Sequence, residues 1–249
     1  LVSLPLAGEL PLLSGKERKK LPLVVINSRS FMEECFHILR NNTELLLLPN
    51  PEKASRVVFL TSTRTGEGKT FTALNLAAAY AQTGKKVLLI DGDLRKASLS
   101  AFCGGKNSRG LAHLLMNPLA SPDSVLQSGE NFPGFDIVPA GPVPPNPAAL
   151  LTQGRFEDLI RYWRTRYDRI IVDGCPYEAV ADASLMARHA DLVLYLIRCG
   201  MIEKQYVPSI QELAARGEFQ SVALILNAEN FNNSRFHYYS EYSGSKTAG

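Results

Sequence analysis

Along this chain the apolar residues gather into short unbroken blocks, separated by longer stretches in which apolar and polar positions mix. Val57-Val58-Phe59-Leu60, Val87-Leu88-Leu89-Ile90, Ile170-Ile171-Val172 and Leu224-Ile225-Leu226 are the clearest blocks. Blocks of this length without alternation predict strands buried on both faces, and they place strands near 56–61, 86–90, 135–138, 168–173, 191–197 and 221–226. The intervening stretches predict helices near 70–83, 109–116, 121–127, 154–166, 179–189 and 203–216. Upstream, Phe31, Cys35, Ile38 and Leu39 have the spacing of a helix from Ser30 to about Asn41. Residues 1–27 read as an extended, Pro-containing lead with a strand expected at Leu23 to Ile26. The repeated β-then-α order predicts an α/β fold, a mostly parallel sheet with helices on both faces. Gly141-Pro142-Val143-Pro144-Pro145 is a stiff connector, and Pro147 suits the first turn of the helix that follows it.

The pattern stops near Asn227. Beyond it Asn, Ser, Gly and Tyr dominate, and Phe231, Phe236, Tyr238, Tyr239 and Tyr242 show no apolar period. Such a segment cannot bury enough surface to order itself, so residues 228–249 are expected to be a flexible tail behind a domain of residues 28–227. A chain of 249 residues with 45% apolar content is enough for one α/β domain. The net charge of +3 is too small and dispersed to argue for nucleic acid. Lys16, Arg18, Lys19 and Lys20 form a local basic run, either a solvated loop or, near a bilayer, a contact for anionic lipid. Cys35, Cys103, Cys175 and Cys199 have no metal-site spacing and fit a reducing compartment, with Cys175 read as a buried structural thiol. No segment has the ~18 or more consecutive apolar residues of a membrane span.

The block at Val57 runs into Thr61-Ser62-Thr63-Arg64-Thr65-Gly66-Glu67-Gly68-Lys69-Thr70 and then into a helix beginning at Phe71. Strand, glycine-containing loop and helix in this order make a phosphate loop. Gly66 and Gly68 let backbone N–H groups approach a polyphosphate, Lys69 neutralises β/γ oxygens, and the Thr70 hydroxyl suits a Mg²⁺ shell. Thr63 stands where the strict motif has its first Gly.

Two further strands end in acid. Ile90 leads into Asp91-Gly92-Asp93-Leu94-Arg95, and Val172 into Asp173-Gly174-Cys175-Pro176. In an open parallel sheet ligands bind beyond the carboxyl ends of the strands, so these aspartates should converge on the phosphate loop. Carboxylates beside a triphosphate repel it unless they hold Mg²⁺ or accept a proton from a nucleophile. Lys69 and Asp91 are both expected in loops that solvent reaches. Singly, each Asp also suits a turn or a helix cap.

In these residues the chain resembles the bacterial tyrosine autokinases, the BY-kinase family of capsule and exopolysaccharide assembly. The similarity lies in the phosphate loop, in Leu89 to Lys96, in Ile171 to Pro176, in Gly110-Leu111 and in Pro139 to Ala148, and it runs from about residue 20 to the end. Tyr238, Tyr239 and Tyr242 resemble that family's C-terminal tyrosine cluster. The resemblance implies a P-loop NTPase-type kinase domain that transfers phosphate from ATP, with Mg²⁺, to those tyrosines in trans. Implied nucleotide contacts are Thr65 to Phe71, plus Asn227 at the adenine base. Implied metal ligands are Thr70, Asp91, Asp93 and Asp173. Lys69, Asp91, Asp93 and Arg95 are the implied catalytic residues, with Asp91 the first choice for proton acceptor and Arg95 orienting the carboxylates or pairing with one.

Glu34, His37 and Arg40 match the family's Glu-x-x-Arg-x-x-Arg subunit-contact helix, except that His37 replaces the middle Arg. A ring-shaped homo-oligomer, an octamer by resemblance, is therefore expected, weaker once the imidazole is neutral. Further implied partners are a membrane-spanning activator, a cognate tyrosine phosphatase and polysaccharide export machinery, with no nucleic acid. The resemblance places the chain at the cytoplasmic face of the bacterial inner membrane, following a membrane helix of a longer protein. Two rival readings share the loop: a ParA/MinD-type ATPase switch, which carries a second Lys where this chain has Arg64, and a catalytically silent nucleotide-binding assembly module.

Overall fold

Each apolar block becomes a strand because successive side chains enter two different cores. Val57 and Phe59 join one core and Val58 and Leu60 the other; Leu88 and Ile90 part from Val87 and Leu89 in the same way. The computed structural model describes residues 4–13, 30–47, 55–101, 109–129, 132–178, 181–201 and 219–230, with 206, 208, 210–212 and 217. Strands β1 (Leu6–Pro11), β2 (Arg56–Ser62), β3 (Val87–Asp91), β4 (Gln127–Gly129), β5 (Phe132–Val138), β6 (Arg169–Asp173), β7 (Leu192–Arg198) and β8 (Val222–Glu229) form one sheet. Its order is β1-β8-β7-β2-β6-β3-β5-β4, and only the β4–β5 pair is antiparallel.

Helices cover both faces, as the β-then-α repeat requires. Helices α1 (Phe31–Leu46) and α2 (Lys69–Ala81) close one core. Helices α3 (Leu111–Met116), α4 (Pro147–Leu151), α5 (Arg155–Arg164) and α6 (Asp182–Ala187) close the other, anchored by Phe156, Trp163 and Met186 among others. Gly110 is the point where two segments cross. A Cβ there would lie 2.3 Å from the Pro139 carbonyl oxygen, and Leu111 N–H donates to that same oxygen at 2.8 Å.

Several elements differ from the sequence expectation. The first half of the lead is the edge strand β1, paired in parallel with β8 from Leu6↔Leu224 onward. Its Gly8 and Pro11 suppress a β signal, yet an edge strand tolerates Pro and Gly8 is where α1 comes close. A Cβ on Gly8 would lie 3.0 Å from Leu39 Cδ1. Helix α1, capped by Ser30 Oγ accepting from Glu33 N–H at 3.2 Å, runs beyond Asn41 to Leu46. Tertiary contacts hold the added length: Asn42 Nδ2 donates to the Ala7 carbonyl at 2.9 Å, and Glu44 pairs with Arg169. The helix expected at 121–127 is a short 3₁₀ turn, Pro122–Val125, followed by β4. Three residues are too few to show a period. Strand β8 continues past the expected boundary to Glu229, whose carbonyl accepts Leu12 N–H at 3.0 Å. The strand expected at 23–26, the basic run at 16–20, Cys103, most of the helix at 203–216 and the tail beyond 230 lie outside the described residues.

Candidate active site

Strand register brings the candidate residues together. Leu60 of β2 pairs with Asp173 of β6, and Asp173 pairs with Asp91 of β3. In parallel strands such a row places side chains on one face, so the two carboxylates sit side by side where β2 enters the phosphate loop.

Left-handed backbone at Gly66 (φ 88°) and Gly68 (φ 103°) folds the loop back to start α2 at Lys69. Gly68 is further constrained, since a Cβ would fall 2.2 Å from Asn227 Nδ2. The loop is braced from several sides. Asn227 Nδ2 donates to the Glu67 carbonyl at 2.6 Å, and the buried Glu67 carboxylate accepts Arg64 N–H at 2.7 Å. Lys96 Nζ donates to Thr65 Oγ1 at 3.3 Å and Arg198 Nη1 to the Gly66 carbonyl at 3.3 Å. Arg64 Nη2 donates to the Tyr206 hydroxyl at 2.8 Å, with its guanidinium 4.8 Å from the ring centroid. Asn227 was expected at an adenine base. Its Oδ1 also accepts Ala228 N–H at 2.8 Å, so both ends of the amide are engaged as a loop brace. Phe71 packs its ring edge-on against Phe36 at 5.8 Å.

Lys69 and Asp91 are enclosed rather than solvent-reached, at 7% and 0% exposure, because the strand ends lie under their own loops. Lys69 Nζ donates to Ser62 Oγ at 2.9 Å. Burial lowers its pKa, against the opposing charges of Asp173, Glu67 and Asp93. Asp91 spends both oxygens on backbone: Oδ1 accepts Asp93 N–H at 3.2 Å and Oδ2 accepts Leu99 N–H at 3.1 Å. Burial and the neighbouring Asp173 charge hold its pKa well above the usual carboxylate range. Asp93 Oδ1 accepts Arg95 N–H at 3.2 Å and Lys96 N–H at 3.0 Å, which turns the loop.

Asp173 is the exception among these groups. It is 1% exposed, and neither carboxylate oxygen has a hydrogen-bond partner among the described residues. Burial pushes its pKa up to about 7. Thr70, near enough to favour the charged form but outside hydrogen-bond geometry, and the Lys69 ammonium partly offset that. Two buried oxygens with no donor suit a cation or its water shell. Among the described residues no group of three His, Cys, Asp or Glu side chains could hold a metal by itself. The donor set therefore fits Mg²⁺ arriving with phosphates, completed by Thr70, water and Asp173.

Among the described residues the Arg95 guanidinium is hydrogen-bonded to Asp182 rather than to Asp91 or Asp93. Its Nε donates to Asp182 Oδ2 at 2.8 Å and its Nη2 to Asp182 Oδ1 at 3.3 Å. Asp182, at the start of α6, is absent from the sequence reading because an Asp there looks like an ordinary helix-start residue. Cys175, beside Asp173, is buried and its thiol is pushed up to about 12, as an inert structural group.

The three candidate contact residues lie along α1. Glu34 is exposed, His37 Nε2 is 3.8 Å from Glu33, and Arg40 Nη1 donates to the Ala79 carbonyl at 3.2 Å. Tyr238, Tyr239 and Tyr242 lie outside the described residues. A separate cavity of about 460 Å³ opens at the opposite, amino end of β3 and β5, where Tyr167 and Ser128 both donate to Asp136. No helix among the described residues is long and apolar enough to cross a membrane.

Known proteins share this arrangement. A family model described as the CobQ/CobB/MinD/ParA nucleotide binding domain matches residues 58–227. Over 226 residues the chain is 33% identical to "Tyrosine-protein kinase YwqD" of Bacillus subtilis, covering 90% of this chain and 93% of that protein. It is 33% identical over 211 residues to "Tyrosine-protein kinase wzc" of Salmonella typhimurium, covering 83% of this chain and 28% of that protein. The solved kinase domain of the Escherichia coli tyrosine kinase ETK superposes with a TM-score of 0.80 at 26% identity, over 92% of this chain and 94% of that one.

Proposed function

The chain belongs to the bacterial tyrosine-protein kinases of the CobQ/CobB/MinD/ParA nucleotide-binding family, and from that premise we propose that it phosphorylates its own C-terminal tyrosines at the carboxyl end of its sheet. The observation that carries this reading is Asp173, a buried carboxylate with no hydrogen bond among the described residues, beside Thr70 and in electrostatic reach of Lys69 at the mouth of a phosphate loop.

Backbone N–H groups from Thr65 to Phe71 wrap the phosphates of ATP, helped by the N-terminus of α2. Lys69 leaves Ser62 for the β/γ oxygens, whose charge replaces the solvation that burial took from its ammonium. Thr70 would hold Mg²⁺ directly and Asp173 through water, with Asp93 as a further ligand, and the ion would offset the negative charge that develops on transfer. The tyrosine oxygen attacks the γ-phosphorus, the bond to the bridging oxygen of ADP breaks, and the phenolic proton passes to a carboxylate. Asp93, 7% exposed against 0% for Asp91, is the less enclosed of the two acceptors, and Asp91, whose Oδ1 accepts Asp93 N–H, positions it.

The acceptors are Tyr238, Tyr239 and Tyr242 of a neighbouring subunit, in a ring whose contacts include Glu34, His37 and Arg40. A tethered tail raises the local tyrosine concentration to about the mM range. Each phosphate adds roughly −1.5 to −2 charges beside three aspartates, so modified tails leave and the ring loosens. The same reading sets the domain at the cytoplasmic face of the inner membrane. There a membrane-spanning activator, a tyrosine phosphatase and polysaccharide export machinery are its partners.

Phosphopeptide mapping after incubation with Mg·ATP tests the reading, beside Lys69→Met. Label is expected on the three tail tyrosines, reduced about 10²–10³-fold or more in the variant. Wild-type protein without phosphotyrosine, or equal label in both, would sink it. For the trans step, a Lys69→Met chain with its tail is mixed with an active chain truncated after Asn230, which leaves β8 whole. Label on the inactive partner is expected; its absence would mean transfer within one chain.

A further inference from the structure

The Arg95–Asp182 pair has the wrong geometry for simple surface decoration. Asp182 is 1% exposed, whereas the Arg95 side chain is 45% exposed, so an exposed cation is held by a buried carboxylate through two hydrogen bonds. The carboxylate is fixed because α6 is fixed: Ala183, Met186 and Ala187 are all buried in the core. Met186 also underlies the loop after β3, since a Cβ on Gly92 would lie 3.0 Å from its Sδ.

From that loop the guanidinium has another partner within electrostatic reach. Asp93 is two residues away, and its Oδ1 already takes the Arg95 backbone N–H. A guanidinium that swung onto Asp93 would make a bidentate, charge-assisted pair and occupy the carboxylate assigned to the metal and the tyrosine proton. Lys96, the next residue, reaches Thr65 in the phosphate loop at 3.3 Å, so the position of this short segment also bears on the nucleotide.

We propose that Asp182 is a positioning residue that sequesters Arg95 from Asp93, keeping the Asp93 carboxylate available to Mg²⁺ and the substrate hydroxyl. This rests on the assignment of Asp93 above. Its removal raises the Mg²⁺ requirement, while affinity for nucleotide at saturating Mg²⁺ changes little.

The test titrates Mg²⁺ against binding of a fluorescent ADP analogue, which needs no phosphate transfer, and in parallel against phosphotyrosine formation. Asp182→Asn, isosteric and neutral, is expected to raise the half-saturating Mg²⁺ about tenfold by freeing an Arg–carboxylate competitor. Arg95→Gln added to it removes the competitor and is expected to return the Mg²⁺ dependence to within about threefold of wild type. A merely structural role for Asp182 predicts no such rescue. Should Asp182→Asn fail to fold, Arg95→Lys keeps the charge, loses the two-pronged grip and is expected to shift Mg²⁺ dependence about threefold. Unchanged Mg²⁺ dependence in Asp182→Asn, or a double variant no better than the single, overturns the proposal; so does an unshifted Arg95→Lys where the first variant does not fold. Protein that shows the binding shift yet makes no phosphotyrosine upholds the sequestration and refutes the kinase reading instead.

Discussion

The two ends of the sheet treat charge in opposite ways. At the amino end Arg169 holds Glu44 through two bonds of 2.7 and 2.5 Å, and Arg164 holds Asp191 at 2.8 Å. Asp191 also accepts Val57 N–H at 2.7 Å, and Asp168 accepts Lys86 N–H at 2.8 Å. Burial raises the Glu44 carboxyl, but the hydrogen bonds and charge of Arg169 outweigh it and leave its pKa below the usual value. At the carboxyl end Asp91 and Asp173 adjoin in register, Asp173 has no hydrogen-bond partner, and Lys69 is desolvated onto a neutral serine. Paired charges at one end fasten helix and strand. Charges left short of partners at the other are stabilised only when a ligand brings phosphates and a cation.

Breaking the paired end should therefore cost folding and spare chemistry. Arg169→Ala leaves the part-exposed Glu44 carboxylate with weaker partners, Lys85 at 4.0 Å among them, and is expected to lower stability by about 2 kcal/mol, with turnover per folded molecule unchanged. Urea unfolding and a phosphorylation assay at matched folded fraction check this. A loss under about 1 kcal/mol would erase the contrast between the two ends.

Relieving the other end should do the reverse. In the folded protein Asp173 titrates at about 7, above its unfolded value, so the folded state binds the extra proton between the two. Its contribution is then greatest in acid and falls as pH rises through about 4 to 7. Without divalent cations, Asp173→Asn should remove that slope and stabilise the protein at pH 8 by on the order of 2 kcal/mol, while abolishing transfer. Thermal unfolding with chelator at pH 5 and pH 8 reads it. Mg·ADP should stabilise wild type more than the variant. A variant less stable than wild type at pH 8 would mean that Asp173 has a structural partner after all.

The smallest effect sharpens the boundary of the strained end. Lys96→Ala removes one exposed bond to Thr65 and is expected to change nucleotide affinity about twofold, or roughly 0.5 kcal/mol. Calorimetric titration with ADP measures it. A change above about tenfold would place Lys96 on the phosphates themselves.

Much of this was legible before folding. Strands β2, β3 and β6 carry unbroken apolar runs because helices cover both faces, and a run of that kind needs no partner to be recognised. The phosphate loop was equally plain, because Gly66 and Gly68 answer a local backbone demand. Strand β1 was not, because its stability comes from β8 and α1 rather than from its own residues, Gly8 and Pro11 among them. The choice between Asp91 and Asp93 was open for a related reason: a two-residue spacing says nothing of which carboxylate has both oxygens taken by backbone N–H groups.

By itself the sequence determined the α/β layering, the phosphate loop and the identity of the acidic strand ends, because each is written in neighbouring residues and their period. Only the tertiary structure decided that Asp173 has no partner, that Asp91 is enclosed, and that Arg95 belongs to Asp182, 87 residues away. Burial and charge pairing are set by which strands lie side by side and which loop closes over them. Those are distances between residues far apart in the chain, and no local pattern encodes them.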